Sequence, residues 1–85
     1  MKRYTIQYAR SAQKELERLP SEIQNRIVRA IDDLQDNPRP HGSKKLKGRD
    51  EYRIRVGRYR VIYEIYEETV VVLIVRIAHR KDAYR

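Results

Sequence analysis

The segment EYRIRVGRYRVIY, residues 51–63, concentrates arginines at a spacing that suits phosphate chemistry. Arg53, Arg55, Arg58 and Arg60 fall within eight residues, with a single glycine between the two halves. Guanidinium groups are planar, forked donors whose geometry matches the oxygens of a phosphate. They keep their protons in ordinary sites, so they bind and stabilise negative charge but serve poorly as a general base. The segment therefore indicates a guanidinium cluster that binds the phosphates of a polyanionic ligand.

The register of a hairpin decides which of these arginines share a face. Alternating apolar and polar residues predict strands over residues 52–56 and 59–66, and the Gly-Arg pair between them predicts a type II′ turn. This turn places Arg55 directly opposite Arg60, with Arg53 on their diagonal and the apolar residues on the other face. Opposed like charges destabilise a sheet, so we expect an arginine face that is completed by a polyanion. The alternative is an exposed basic face without function.

The charge of the whole chain supports a polyanionic partner. The net charge is +8 and the sequence pI is near 10, which favours nucleic acid or an acidic protein. Residues 37–60 hold nine basic residues and two acidic ones. Three of the basic residues form the lysine triplet (Lys44, Lys45 and Lys47), within the proline- and glycine-rich segment NPRPHGSKKLKG, which predicts a loop. A solvated charged face is the alternative for this stretch.

Several other classes of protein are not expected from the composition. The chain has no cysteine, and His41 and His79 lie far apart, so we expect neither a disulfide framework nor a metal site, and no cofactor. The longest apolar run, residues 70–75, is far shorter than the roughly 18 residues of a membrane span. No signal peptide is recognisable, so we expect a cytoplasmic protein without membrane contact. A length of 85 residues predicts one domain over residues 1–85.

The remaining elements must position the arginine hairpin. Residues 3–9 alternate at period two and predict a first strand. Ser11 is the expected cap of a short helix that ends near residue 19, before Pro20. Ser21 and Gln24 match a capping box at the start of an amphipathic helix over residues 22–36. With a last strand over residues 70–77, the order is βααβββ. This order predicts an α+β domain whose helical pair packs on one face of a mainly antiparallel sheet.

Four segments, taken together, resemble the RelE/ParE toxins of bacterial type II toxin–antitoxin systems, and the RelE branch in particular. These segments are ELERLP, KKLKG, YRIRVGRYRVIYEI and HRKDAY, and the likeness covers essentially the whole chain. The resemblance implies a RelE-like fold, similar to that of microbial ribonucleases. It also implies a ribosome-dependent endoribonuclease that cuts mRNA in the A site, where the 2′-hydroxyl attacks the adjacent phosphate without a metal.

The same resemblance implies roles for individual residues and identifies partners. The implied catalytic residues are Arg53, Arg55, Arg60, Arg80, Tyr84 and His79. Residues expected to contact RNA or the ribosome are Lys44, Lys45, Lys47, Arg49 and Arg58. The expected protein partner is an acidic RelB-like antitoxin, and operator DNA is expected to be contacted only through the complex of toxin and antitoxin.

The identity of a general base stays open in this prediction. RelE proteins often have lysines where this chain has Arg53 and Arg55, and a lysine can release its proton more readily than an arginine. Either His79 or Tyr84 takes this role, or the reaction proceeds by positioning and electrostatics. His79 alone is typical of a surface histidine, and Tyr84 of a hydrophobic anchor or of a ring that stacks on a base.

Two other functions compete with the nuclease. A ParE-like toxin poisons DNA gyrase and is expected to lack the basic cluster and the terminal Arg/Tyr pair. A nucleic-acid-binding module without chemistry is the second alternative, although the chain has no recognition-helix motif.

Overall fold

The structure is a computed structural model that describes residues 2–48 and 50–80. The described chain forms two helices and five strands. In chain order they are β1 (Thr5–Tyr8), α1 (Arg10–Glu17), α2 (Ser21–Asp33), β2 (Lys44–Lys45), β3 (Glu51–Val56), β4 (Tyr59–Tyr66) and β5 (Val71–His79).

All five strands belong to one sheet with the spatial order β1-β5-β4-β3-β2. Strand β1 pairs in parallel with β5, because both helices are inserted between β1 and the rest of the sheet and carry the chain back across it. The other three pairings are antiparallel. The predicted α+β fold with a mainly antiparallel sheet is therefore confirmed. Strand β2 is an addition, since its two residues were predicted to lie in a loop.

The hydrophobic core lies between the helical pair and one face of the sheet. Both helices bury their apolar positions there, and the strands contribute their alternate residues. The fully buried side chains are Ala12, Ile27, Ile31, Leu34, Val61, Tyr63, Val72 and Ile74. This arrangement leaves the opposite face of the sheet to the arginines, as the alternation of residues 52–63 predicts.

Both predicted helix caps are wrong. Ala9 is the N-cap of α1, and the Ser11 hydroxyl donates to the Val75 carbonyl at 3.4 Å. Helix α2 begins at Ser21 without a side-chain cap, and the Gln24 amide donates instead to the Leu19 carbonyl at 2.7 Å. The linker between the helices is so short that the last carbonyls of α1 lie beside the first turn of α2. Tertiary contacts thus replace the local cap.

The hairpin between β3 and β4 has the predicted register and turn. Its pairs run from Tyr52 opposite Tyr63 to Val56 opposite Tyr59. Gly57 has a φ of +59°, and the residue after it has a negative φ. A positive φ at the first turn position alone is the signature of type II′, which requires glycine there.

Strand β5 begins one residue later than predicted and continues further. Val70 has a φ of +55°, a left-handed conformation that is strained for a β-branched residue and cannot belong to a strand. At the other end, pairing continues to His79, opposite Tyr59. No helix in residues 2–48 and 50–80 is long and apolar enough to cross a membrane.

Candidate nucleic-acid interface

Strands β3 and β4 bring the arginines together on the sheet face that the helices leave open. Arg55 on β3 is directly opposite Arg60 on β4, and Arg60 is in turn opposite Ala78 on β5. Arg55 is exposed, whereas Arg53 and Arg60 expose only 6% and 8% of their surfaces. The sequence predicted that these residues share one face but did not predict that two of them are buried.

Burial and mutual repulsion make this arrangement electrostatically costly. Burial lowers the pKa of Arg53, and the neighbouring Arg55 lowers it further. The pKa of Arg60 is lowered by burial first and then by Arg55, Arg53 and Arg80. Within the described residues, the buried Nε of Arg53 has no hydrogen-bond partner. A fold that concentrates desolvated guanidiniums in this way is suited to an anionic ligand, which would lower their energy.

The arginines line an open cleft at the tip of the hairpin. This arginine cleft has a volume of about 320 Å³ and is lined by Arg55, Gly57, Arg58, Tyr59, Arg60 and Arg80. Arg80 follows β5 and is fixed by its backbone N–H, which donates to the Arg58 carbonyl at 2.8 Å. Four predicted site residues therefore meet in one cleft: Arg55, Arg58, Arg60 and Arg80.

His79 is not brought into this cleft. Its cross-strand partner is Tyr59, whose side chain packs against the hydrophobic core. The two rings meet edge to face, with centroids 5.4 Å apart and planes at 80°. His79 therefore lies on the helix side of the sheet, opposite to Arg60 and its neighbours. Two other predicted site residues, Arg49 and Tyr84, lie outside the described residues.

The lysine triplet continues the basic surface toward the edge of the sheet. Lys44 pairs with Arg53, and Lys45 pairs with Tyr52. Directly opposed residues share a face, so Lys44 lies on the arginine side and Lys45 on the other. All three lysines are exposed. A basic band thus runs across the sheet from Arg80 through Arg53 to Lys44.

Sequence reasoning missed the contacts that fix the loop before β2. Arg39 donates through Nε to the Tyr52 hydroxyl at 3.2 Å and through Nη1 to Glu67 Oε1 at 3.0 Å. The Tyr4 hydroxyl donates to the other Glu67 oxygen at 2.8 Å. These bonds, with that from Tyr4 the strongest cause, lower the pKa of Glu67. Arg39, counted among the basic residues of the loop, is therefore engaged within the fold.

A second anchor of this loop is buried. The Tyr63 hydroxyl donates to the Pro38 carbonyl at 2.7 Å beneath the loop. Burial is the main reason that the pKa of Tyr63 is raised to about 12. No signal in the sequence pairs Glu67 or Tyr63 with this loop, because both contacts join positions that are distant in the chain.

Among residues 2–48 and 50–80, no three His, Cys, Asp or Glu side chains form a metal-binding group.

Comparisons with known proteins agree with this fold. The family model described as ParE toxin of type II toxin-antitoxin system, parDE, matches residues 6–84. Toxin RelG of Mycobacterium tuberculosis is 35% identical over 86 residues, covering 96% of this chain and 97% of the relative. Toxin RelE3 of Methanocaldococcus jannaschii is 34% identical over 84 residues, covering 93% of each chain.

Solved structures give the same result in three dimensions. The archaeal RelE–RelB complex from Pyrococcus horikoshii superposes with a TM-score of 0.82 at 31% identity, covering 94% of this chain and 98% of the toxin. The isolated RelE toxin of E. coli superposes with a TM-score of 0.82 at 25% identity, covering 95% and 88%. This chain belongs to the RelE/ParE toxins of type II toxin–antitoxin systems, within their RelE family.

Proposed function

We propose that this toxin is a metal-independent, ribosome-dependent endoribonuclease that cuts mRNA in the ribosomal A site. The observation that carries the proposal is the arginine cleft, in which four guanidinium-bearing residues converge beside the buried Arg53. Such a cluster matches the charge of a phosphate that becomes a pentacovalent phosphorane. A plain binding surface would gain little from burying most of the surface of two of its arginines.

The reaction proposed is the one that the resemblance to RelE toxins implies, and the arginine cleft has the charge that it requires. The 2′-hydroxyl of a nucleotide attacks the adjacent phosphorus and loses its proton to a base or to water. The bond to the 5′-oxygen of the next nucleotide breaks and this oxygen takes up a proton, so the products are a 2′,3′-cyclic phosphate and a 5′-hydroxyl. Negative charge increases on the phosphorane oxygens, where Arg55, Arg60 and Arg80 stabilise it. Arg60 is the largely buried member of this set, so its side chain needs less reorganisation during the reaction than the exposed Arg55 and Arg80.

Fewer residues are candidates for proton transfer than the sequence alone suggested. An arginine remains protonated, and His79 lies on the helix side of the sheet, away from the cleft. We therefore assign no base role to His79. Tyr84 remains the predicted stacking residue and candidate for proton transfer, alongside a reaction that depends on positioning and electrostatics alone.

The lysine triplet supplies binding to ribosomal RNA in this proposal. Lys44 and its neighbours are exposed and adjoin the arginine face, so they contact phosphates and orient the toxin without reading sequence. Related structures are complexes of RelE with RelB, which supports an acidic RelB-like antitoxin as the partner of this chain. Operator DNA is then contacted through the complex of toxin and antitoxin.

A gyrase poison is the second candidate function. The observation that favours this candidate is the family model that matches the chain, because its description names the ParE toxin. The arginine cleft favours the nuclease instead, because a gyrase poison does not require a phosphate-binding cluster.

The test compares Arg60→Ala and Arg80→Ala with Arg29→Ala, a control that removes an exposed arginine from α2. We expect both cleft variants to lose most mRNA cleavage on purified ribosomes, and the control to cleave like the wild type. Circular dichroism of the Arg60 variant is the folding control, and we expect the spectrum of the wild type. A wild-type protein that inhibits gyrase supercoiling while translation continues would establish the second candidate. Cleft variants with full cleavage would refute the phosphate role.

A further inference from the structure

Strand β2, which carries two members of the lysine triplet, is held to the sheet by few contacts of its own. It is the outermost strand and has two residues, Lys44 and Lys45, whose side chains are exposed. One further backbone bond follows, from the Leu46 N–H to the Glu51 carbonyl at 2.8 Å. A short edge strand with little buried surface opens at a low cost in free energy. The orientation of β2 therefore depends also on the segment that precedes it.

The side chains of Arg39, Tyr52, Tyr63 and Glu67 form a loop clamp that fastens this preceding segment to the sheet. The Arg39 guanidinium bridges Tyr52 and Glu67, and its Cζ lies 5.2 Å from the centroid of the Tyr52 ring. The Tyr52 ring stacks in turn on that of Tyr63, with centroids 6.0 Å apart. Tyr52 is also the residue of β3 that pairs with Lys45. The loop clamp therefore adjoins the lysine triplet directly.

The chain between the loop clamp and the lysine triplet is short. Four residues, 40–43, separate Arg39 from Lys44. The Ser43 N–H donates to the Pro40 carbonyl at 2.9 Å, which closes a β-turn over these four residues. Because the closed turn has little conformational freedom, a displacement of Arg39 changes the position of Lys44 as well.

Glu67 is the residue at which the polar contacts of the loop clamp converge. Its Oε1 accepts from Arg39 at 3.0 Å, and its Oε2 accepts from the Tyr4 hydroxyl at 2.8 Å and lies 3.7 Å from Lys2 Nζ. Tyr4 is buried in the core, so its hydroxyl ties the carboxylate to the body of the fold. Within the described chain, the other partner of the Arg39 guanidinium is Tyr52. Without the Glu67 carboxylate, the Arg39 side chain would be held at one end.

We propose that Glu67 is a positioning residue, which acts through Arg39 to hold the lysine triplet in the orientation that binds RNA phosphates. Side chains that are ordered before binding lose less conformational freedom when the complex forms, so the affinity is higher. The inference rests on the proposed function in one respect, namely that the lysine triplet contacts RNA.

The proposal predicts the opposite of what charge alone predicts. Binding to RNA phosphates depends on positive charge, so the loss of a carboxylate from the toxin should strengthen it. Under the proposal, loss of the Glu67 carboxylate weakens it instead. The matched control is Glu68→Gln, which removes the same charge from the next residue. Glu68 is exposed, and its side chain forms no hydrogen bond or ion pair in the part of the chain that the structure describes.

The first experiment measures ribosome binding of Glu67→Gln and Glu68→Gln over a range of salt concentrations. We expect Glu67→Gln to bind about two- to tenfold more weakly, as lost ordering of interface side chains implies, and Glu68→Gln to bind at least as tightly as the wild type. The salt slope of Glu67→Gln should equal that of the wild type, because the same phosphates are contacted. In cleavage assays, KM for ribosomes should rise by the same factor while kcat is unchanged. Tighter binding by Glu67→Gln, equal effects of the two variants, or a loss confined to kcat would overturn the proposal.

The second experiment measures positioning without RNA, by hydrogen exchange of the isolated toxin. The Leu46 amide reports on the closure of β2, and the amide of the fully buried Val61 reports on the core. We expect Leu46 to exchange about two- to tenfold faster in Glu67→Gln, and Val61 to keep its rate. An unchanged rate at Leu46, or equal acceleration at both residues, would overturn the proposal. Binding and exchange need no cleavage, so a toxin that binds ribosomes as expected without cutting mRNA would refute only the proposed nuclease.

Discussion

Replacing Arg53 by methionine should make this protein more stable and less active. Arg53 exposes 6% of its surface, and its buried Nε has no hydrogen-bond partner in the described chain. An unsatisfied buried donor costs about 1–3 kcal/mol. Methionine removes the donor and the charge but keeps most of the aliphatic volume.

The net change follows from two opposing contributions. Methionine is shorter than arginine, and the gap that it leaves costs on the order of 1 kcal/mol. Subtracting this from the cost of the unsatisfied donor gives a net stabilisation of about 1 kcal/mol for Arg53→Met. In a domain of this size, that change raises Tm by about 4–8 °C.

Urea and thermal unfolding measure the stability, and cleavage of mRNA on purified ribosomes measures the activity. Arg55→Met is the matched control, since Arg55 lies on the same strand and face but is exposed. Its only expected gain is relief of the repulsion with Arg60, which should raise the free energy of unfolding by no more than about 0.5 kcal/mol. A destabilisation above about 1 kcal/mol in Arg53→Met would refute the view that Arg53 is retained for function at a cost in stability. Full cleavage by Arg53→Met would refute it equally.

Three further predictions concern other parts of the structure. Changing the lysine triplet to glutamine should lower the salt slope of ribosome binding by about 2, because each lost phosphate contact contributes about 0.7; an unchanged slope would make these lysines a solvated face. Gly57→Ala should cost roughly 1–2 kcal/mol of unfolding free energy, since the φ of +59° is left-handed while Arg26 leaves a Cβ ordinary contact distance; urea unfolding without loss would contradict this. Between pH 10 and about 12, stability should fall, because the unfolded Tyr63 ionises first while the folded ring keeps its proton; Tyr63→Phe should remove this component, and an identical pH profile of the variant would refute it.

The sequence predicted the sheet well because local patterns constrain it. Strict alternation and the glycine of the hairpin turn specify which residues oppose each other, so every pair from Tyr52 opposite Tyr63 to Val56 opposite Tyr59 could be derived. The helix caps failed for the opposite reason. The Gln24 amide donates to the Leu19 carbonyl in the linker between the helices, and the capping-box rule, which considers only the first turn of the helix, does not include this acceptor.

The candidate site was predicted in composition but not in burial. Alternation places Arg53 and Arg60 on the face away from the helices, and such a face is ordinarily solvated. The solvent exposure of each side chain depends on its neighbours from other strands, such as Lys44 beside Arg53 and Ala78 beside Arg60. The sequence also could not predict on which side of the sheet His79 lies, because the predicted β5 ended at residue 77 and the face of the next residues was unspecified.

Burial also explains why arginine, not lysine, occupies position 53. Desolvation penalises the charged form of any cation, and it lowers the pKa of Arg53 here. A lysine in the same place starts from a much lower pKa and would lose its charge more readily, which suits a proton acceptor. Arginine starts so high that it stays charged. Arg53 therefore carries fixed positive charge at every physiological pH. Under the proposed nuclease function, such a charge stabilises a phosphorane and does not move a proton.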